Sequence, residues 1–332
     1  MTKMQLPKKI LIIRFSSIGD IVLTSPIVRC LKKQVPDAEI HFLVKKQYVI
    51  LVNNNPYITK IHTFEGNIRE IIQVLKKEKF DFVVDLQKNR RSTYIKSCLK
   101  VASGTFNKLN KKKWLFTNFK LNLLPKLHVV DRYFRAVKKL NVVNDGQGLD
   151  FFIPVEDRIE IKKVLPEKFQ RGYIALATGS KQNTKKIPLE KMLELCRAVD
   201  KPLVLLGGKE DFDKAKQVQD TMGDQVFNAC GGYNINQSAS IAKQAEAVIS
   251  SDTGLMHIAA ALRKKVISVW GNTVPDFGMY PYYPQGKENF HVVEVTGLKC
   301  RPCSKLGYKK CPKKHFRCMM DIDVQKIAEL VK

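Results

Sequence analysis

The amino-acid sequence predicts an α/β protein of two doubly wound modules, each a parallel sheet covered by helices. Three observations carry that expectation. Short apolar runs alternate with stretches of helical spacing through the first half, and the same alternation restarts near Tyr173. The length of 332 residues suits about two domains, at roughly 150 residues each.

In chain order, Lys9–Arg14 (KILIIR), Glu39–Val44 (EIHFLV) and Phe80–Leu86 (FDFVVDL) read as strands. Between them, Pro26–Val35 and Ile68–Lys79 place apolar residues at helical spacing. Ser25-Pro26 suits an N-cap followed by an N1 proline, so the first helix is expected there rather than at Asp20. His128–Leu140 reads as a further helix, and Gly146–Pro154 (GQGLDFFIP) as a crossing segment. The second module then offers strands at Tyr173–Ala177, Leu203–Leu206, Val226–Ala229, Ala247–Ser250 and Val266–Trp270. Helical patterns at Leu189–Val199, Asp211–Met222, Ile235–Gln244 and Gly254–Leu262 separate them. The expected domains are 1–160 and 161–320, the latter with a Cys-rich segment at 300–318, followed by a C-terminal helix over 321–332.

A chain 44% hydrophobic and 27% charged buries ordinary cores, which excludes a disordered or fibrous protein. Lys and Arg number 58 against 31 Asp and Glu, a net charge of +27. That excess points to an anionic partner: nucleic acid, anionic membrane or phosphorylated substrate. No apolar run approaches the ~18 residues that cross a bilayer. Lys8-Lys9 before Ile10–Ile13 imitates a signal peptide, but Arg14 and Ser16-Ser17-Ile18-Gly19-Asp20 break the apolar region too early. The expected location is cytoplasmic, with peripheral attachment to a membrane. Eight cysteines in this length do not make a disulfide scaffold.

Open parallel sheets bind ligands at the carboxyl ends of their strands, so the loops after strands hold the candidate residues. The first loop, Phe15–Asp20, has one glycine where a dinucleotide fingerprint needs three. It offers instead Asp20 on the small-residue turn Ser17-Ile18-Gly19, either as a general base or as a turn and capping residue. After the strand ending at Ala177, the loop Thr178–Pro188 carries Thr178, Thr184 and three lysines before a proline-started helix. One lysine there suits a leaving phosphate, and a solvated loop is the alternative. In the turn Gly207–Glu210, Glu210 suits a ribose. Asp252, Thr253 and Gly254 open a helix whose N–H groups and dipole attract phosphate, with His257 one turn further in. An ordinary capped helix with a core histidine is the alternative.

These residues reach a resemblance. ILIIRFSSIGDIVLTSPIV at 10–28, FDFVVDLQKNRRS at 80–92, HVVDRYFRAVKKLNV at 128–142, TKKIP at 184–188, LLGGKED at 205–211 and ISSDTGLMHIAAALRKKVISVWGNTVP at 249–275 resemble glycosyltransferase family 9. This is the family of ADP-heptose:lipopolysaccharide heptosyltransferases, and the matches run in family order across about nine-tenths of the chain. The resemblance implies a GT-B fold, two Rossmann-like domains facing across a cleft, the N-terminal one for the acceptor and the C-terminal one for the nucleotide sugar. It implies inverting, metal-independent transfer of heptose from ADP-heptose to the lipopolysaccharide inner core, with no cofactor required. The family's catalytic aspartate falls on Asp20, its diphosphate-contacting lysine on Lys185, and its donor-site helix start on Asp252, Thr253, Gly254 and His257. Ile187 stands where the family usually has Trp, and Asn272 where it usually has Pro; both border the nucleotide site.

Cys300, Cys303, Cys311 and Cys318 have the spacing C-x2-C-x7-C-x6-C, with His315 inside the last interval. They suit a structural zinc or, the more so because the second CxxC of a zinc ribbon is missing, a cluster of reduced thiols. Lys108 and Lys111–Lys113 beside Trp114, and Lys88 with Arg90-Arg91, carry basic charge without a nucleic-acid-binding signature. The expected partners are the nucleotide sugar, the lipopolysaccharide core and lipid A acceptor and the anionic inner membrane, with no nucleic acid. A different sugar nucleotide or acceptor on the same mechanism is the alternative, and a non-catalytic nucleotide- or nucleic-acid-binding protein a more distant one.

Overall fold

The computed structural model of the chain describes residues 7–286 and 289–332. The chain forms two compact units, the first comprising the residues up to Lys108 with Leu127–Phe152, the second Leu109–Lys126 with Ile153–Lys332. Unit 1 is a parallel sheet of β1 (Lys9–Ile13), β2 (Glu39–Lys45), β3 (Lys60–Phe64), β4 (Phe82–Asp85) and β5 (Ala102–Thr105), in the order β3-β2-β1-β4-β5. Its helices are α1 (Ile18–Val22), α2 (Ser25–Gln34), α3 (Ile68–Lys77) and α4 (Arg90–Leu99). After α5 (Asn110–Phe119), which belongs to unit 2, α6 (Val129–Tyr133) returns to unit 1.

Ile10, Leu11, Ile12 and Ile13 are all fully buried, because a parallel sheet is covered on both faces; hence the unbroken apolar run. Ile71, Ile72 and Leu75 of α3 close one core with Leu11, Ile13, Leu43 and Val83. Each such side chain contributes about 1.5–3 kcal/mol relative to exposure. From α2, buried Arg29 donates to both carboxylate oxygens of Asp145 at 2.8 Å, to the Gly148 carbonyl at 2.8 Å, and to Asp150. This group fastens α2 to the last stretch of unit 1. The Arg29 hydrogen bonds hold the Asp145 carboxyl at about 2, below its ordinary 3.8.

Unit 2 is a six-stranded parallel sheet of β6 (Ile174–Ala177), β7 (Leu203–Leu206), β8 (Val226–Asn228), β9 (Ala247–Ser251), β10 (Lys265–Trp270) and β11 (Phe290–Glu294), ordered β11-β10-β9-β6-β7-β8. Taken from β8, this is the doubly wound order 3-2-1-4-5-6, with its reversal between β6 and β9. The helices are α7 (Ile161–Val164), α8 (Glu167–Gln170), α9 (Leu189–Ala198), α10 (Phe212–Met222), α11 (Ile235–Gln244), α12 (Gly254–Ala261), α13 (Arg317–Met320) and α14 (Val324–Val331). Val324, Ile327 and Val331 of α14 share a core with Met192 and Leu195 of α9 and with Leu176, Ile249 and Val269 of the sheet.

Three strands go beyond the sequence expectation: β3, β5 and β11. β3 and β11 are edge strands with mixed polar sequences, and β5 is the four residues ASGT. The single helix predicted over His128–Leu140 is instead α6 followed by two 3-10 turns, at Phe134–Ala136 and Lys138–Leu140. Packing overrides the helical pattern there. A Cβ on Gly104 of β5 would lie 1.8 Å from the Ala136 carbonyl oxygen, so the edge strand holds that segment at backbone distance. The chain passes between the units at three places, where the sequence predicts one passage near residue 160. The extra excursion is fixed by contacts inside unit 2: Lys120 Nζ donates to the carbonyls of Cys300 (3.2 Å) and Pro302 (2.8 Å), and Asn122 to Asp276 (2.6 Å). No helix among the described residues is long and apolar enough to cross a membrane.

Candidate active site

Polar residues gather at the carboxyl ends of the central strands in each unit. In unit 1, β1 ends at Ile13 and the next residue, Arg14, turns its side chain inward, leaving it 6% exposed. Its guanidinium donates to the Leu86 carbonyl after β4, to the Ser16 carbonyl at 2.9 Å and to the Tyr133 hydroxyl at 3.2 Å. It also pairs with Asp20 Oδ1 at 2.5 Å. Burial works against that cation, but Asp20 and Tyr133 more than offset it and the Arg14 pKa is raised. The other Asp20 oxygen accepts from the Ser17 hydroxyl (2.8 Å) and amide (3.2 Å). Asp20 thus sits at the third position of α1 as half of a capping box with Ser17, and its side chain remains 24% exposed. Gly19 is buried beneath the turn and Ser17 exposed on it. Asp20 is a capping carboxylate on an accessible turn, paired with a buried cation.

In unit 2 the loops after β6 and β9 meet at the reversal of strand order. Lys185, on a 3-10 turn at Asn183–Lys185, donates to Asp252 Oδ2 at 2.6 Å and approaches the Asp252 carbonyl at 3.4 Å. Thr273, after β10, donates to the same carboxylate oxygen at 3.0 Å. Thr253 is the N-cap of α12 but pairs its hydroxyl with Ser250 at 3.0 Å, so the first turn, beginning at Gly254, receives no side-chain cap. His257 is buried within that helix, 2% exposed. Thr184 has its hydroxyl between the Tyr308 amide (2.7 Å) and carbonyl (3.0 Å), which anchors the lysine loop.

Thr178 is buried, donating to the Leu206 carbonyl at 3.2 Å beside Cys230. Glycine is required at 207, where a Cβ would meet Thr178 Oγ1 at 2.5 Å and Asp211 Cβ at 2.9 Å. Glu210 is exposed on that turn, while Asp211 is buried and pairs with Lys186 at 2.5 Å. Ile187 lies in the unit 2 core. Asn272 is 2% exposed with neither side-chain amide atom hydrogen-bonded, an exception among buried polar groups.

The structure brings Lys185 and Asp252 together and pairs Ser17 with Asp20. It adds residues that the sequence reading did not single out: Arg14, Asp211, Thr273 and Arg301, and Lys186 among the three lysines of its loop. Arg301 is the hub of the loop after β10, donating to the carbonyls of Gly271, Trp270 (3.3 Å), Thr273 (3.0 Å) and Val295 and to Glu294 (2.7 Å). Its signal in the sequence is slight: an arginine between two cysteines, flanked by proline. Cys303 Sγ approaches the Cys300 carbonyl at 3.1 Å, and Cys300 Sγ lies 3.8 Å from His315 Nε2. Burial raises the thiols of Cys303 and Cys318, to about 11 and about 12. Among the described residues, the metal-capable group with all ligand atoms within 4.8 Å of one another is His41, His62 and Glu78, not the four cysteines.

Two doubly wound units in one chain, with polar loops at the strand-order reversals, make the architecture of the GT-B glycosyltransferases. Residues 68–312 match the model of glycosyltransferase family 9 (heptosyltransferase), and the chain belongs to that family. Lipopolysaccharide heptosyltransferase 1 of Campylobacter coli is 27% identical over 350 aligned residues, covering 98% of each chain. Two solved structures share the fold. The E. coli ADP-heptose lipopolysaccharide heptosyltransferase II aligns with a TM-score of 0.71 at 20% identity, covering 97% of both chains. E. coli heptosyltransferase WaaC with ADP-2-deoxy-2-fluoro heptose aligns with a TM-score of 0.63 at 20% identity, covering 90% of this chain and 96% of that one.

Proposed function

We propose that this glycosyltransferase moves heptose from ADP-heptose to the lipopolysaccharide inner core with inversion and without a catalytic metal. The observation that carries the reading is the Lys185–Asp252 pair at the reversal of the unit 2 sheet, beside the start of α12. An ammonium and a helix start at one place suit a diphosphate, and a solved relative carries an ADP-sugar analogue. Unit 2 is then the donor unit, with Thr178, Thr184, Glu210, Asp252, Thr253, Gly254 and His257 around the nucleotide. Unit 1 is the acceptor unit, with Ser17, Gly19 and Asp20.

Asp20 takes the proton of the acceptor hydroxyl as its oxygen bonds to the anomeric carbon. The bond from that carbon to the diphosphate oxygen breaks on the opposite face through an oxocarbenium-like transition state. Lys185 and the amides of Thr253 and Gly254 receive the departing charge, the task a metal ion performs elsewhere. Asp252 holds the Lys185 ammonium in place between turnovers.

The test is transfer from ADP-heptose to a lipopolysaccharide core truncated before its heptoses, run beside GDP-, UDP- and dTDP-sugars. Transfer from one of the others alone refutes the donor. Asn272 and Ile187 favour that second reading, a different sugar nucleotide or acceptor on the same mechanism. The reading needs no nucleic-acid partner.

The proposed location is cytoplasmic, peripheral to the inner membrane. Trp114, Phe119, Leu121 and Leu123 are 57%, 66%, 49% and 46% exposed, in a stretch that also carries Lys111, Lys112, Lys113, Lys120 and Lys126. Exposed aromatics among lysines suit an anionic lipid surface. A structural zinc on Cys300, Cys303, Cys311 and Cys318 is a separate proposal, tested by metal analysis of the protein and its Cys303→Ser variant.

A further inference from the structure

On the face of the unit 1 sheet that α3 covers, two histidines occupy positions the strand pattern reserves for apolar residues. In the parallel register His62 pairs with Leu43, so His41, two residues before Leu43, shares a face with His62, the face that α3 covers. They are 1% and 4% exposed, and the Phe80 ring meets both edge-on, at 5.2 and 6.1 Å. His41 Nδ1 and His62 Nε2 are 2.9 Å apart. Glu78, the C-cap of α3, brings its carboxylate oxygens to 3.9 Å from His41 Nδ1 and 4.0 Å from His62 Nε2.

A tetrahedral zinc with bonds of about 2.0–2.1 Å separates its ligand atoms by about 3.3–3.4 Å, inside the 2.9 to 4.0 Å range between these two nitrogens and the two Glu78 oxygens. The orienting carboxylate that metal-bound histidines have is present too: Glu39 Oε2 lies 3.3 Å from His41 Nε2. It selects the tautomer with the proton on Nε2 and leaves the Nδ1 lone pair aimed at His62 and Glu78. Lys60 (2.6 Å) and Lys9 (3.4 Å) now share the Glu78 carboxylate, and Lys60 reaches it from a side chain 55% exposed. It can withdraw into solvent as a dication takes over that charge.

We propose that His41 Nδ1, His62 Nε2 and Glu78 form a binding site for a divalent metal of the zinc class, completed by water. Two imidazoles and one carboxylate select that class over magnesium or calcium, whose ligands are all oxygen. The metal takes the His62 tautomer protonated on Nδ1. It ties β2, β3 and the end of α3 together, outside the transfer chemistry, so the site is structural and independent of the proposed donor and acceptor.

The test uses the full chain, stripped with chelator and desalted, in a Cys300→Ser/Cys303→Ser background that removes a competing thiolate site. Titration with Zn²⁺ is expected to give about one ion per chain. Co²⁺ is expected to show nitrogen–oxygen ligand-field bands without thiolate charge transfer. His62→Gln and Glu78→Gln each weaken binding by at least about a hundredfold, and Glu39→Gln by about ten- to a hundredfold. Circular dichroism establishes folding, and Glu78→Gln and Glu39→Gln decide the matter if His62→Gln does not fold. Failure of the folded background protein to bind stoichiometric zinc, or equal affinity in the folded variants, overturns the site.

Discussion

Replacing Asp20 by asparagine separates its two structural duties. Asparagine keeps one carbonyl oxygen, enough for either the Arg14 guanidinium or the Ser17 hydroxyl, which now reach separate carboxylate oxygens at 2.5 and 2.8 Å. It loses the charge and the basicity. Without a general base, kcat is expected to fall by a factor of about 10² to 10⁴, or about 3–5 kcal/mol of barrier. The stability penalty is smaller. Arg14 keeps its bonds to the Leu86 and Ser16 carbonyls and to Tyr133. Weakening one charge-assisted bond to a buried group costs about 1–3 kcal/mol. Asp20→Ala leaves that face of a buried cation with no carboxylate, and its loss should approach about 3–5 kcal/mol. The assay is steady-state transfer alongside urea unfolding and calorimetric donor binding. The donor Kd should hold in Asp20→Asn, because Lys185 and Asp252 belong to the other unit. A folded Asp20→Asn enzyme with wild-type kcat would refute the base assignment and leave Asp20 a cap for α1.

Lys185→Met should raise the donor Kd about 10- to 150-fold, the loss of one charged hydrogen bond of about 1.5–3 kcal/mol, with acceptor affinity unchanged by calorimetry. Arg29→Met should lower unfolding free energy by about 3–5 kcal/mol, since it strands Asp145 and Asp150, and urea midpoints check it. Because Asp145 titrates at about 2 when folded and near 3.8 otherwise, its pairing stabilises fully above pH 4 and fades as pH falls toward 2. The gap between wild type and Arg29→Met should narrow over that window, and a constant gap contradicts the pairing. Trp114→Ser/Phe119→Ser should weaken sedimentation with vesicles of phosphatidylglycerol while leaving transfer to a soluble acceptor intact; unchanged sedimentation rejects α5 as the lipid contact.

The central strands were legible because burial on both faces makes them plain apolar runs, as at Ile10–Ile13 and Ala247–Ile249. Of the edge strands, β8 was read but β3, β5 and β11 were not. ASGT in β5 carries no strand propensity, and it pairs because β4 offers it a ladder. Asp20 and Asp252 stood out as carboxylates in the loops after such runs, while Lys185 was picked from the three lysines of its loop only by the family resemblance. Their partners did not: Arg14 reads as the last strand residue, and Thr273 and Arg301 reach the site only through contacts across 21 and 28 residues. The docking of α5 was hidden for the same reason, since Lys120 meets the Cys300 carbonyl 180 residues away.

That excursion bears on how the protein can be divided. A fragment ending at residue 152 would keep α5 but lose Phe277, whose ring lies 6.0 Å from that of Phe116 and 5.6 Å from Lys113 Nζ. A fragment beginning at 153 would lack the helix that covers Phe277 and the Cys300 carbonyl. Neither half is a self-sufficient expression unit. Proteolysis between 152 and 153 should yield two pieces that stay clasped through α5 on a sizing column. Further cuts on both sides of α5 would remove that clasp, because each side joins it to unit 1, so the points where the chain can be opened without separating its halves are set by one ten-residue helix.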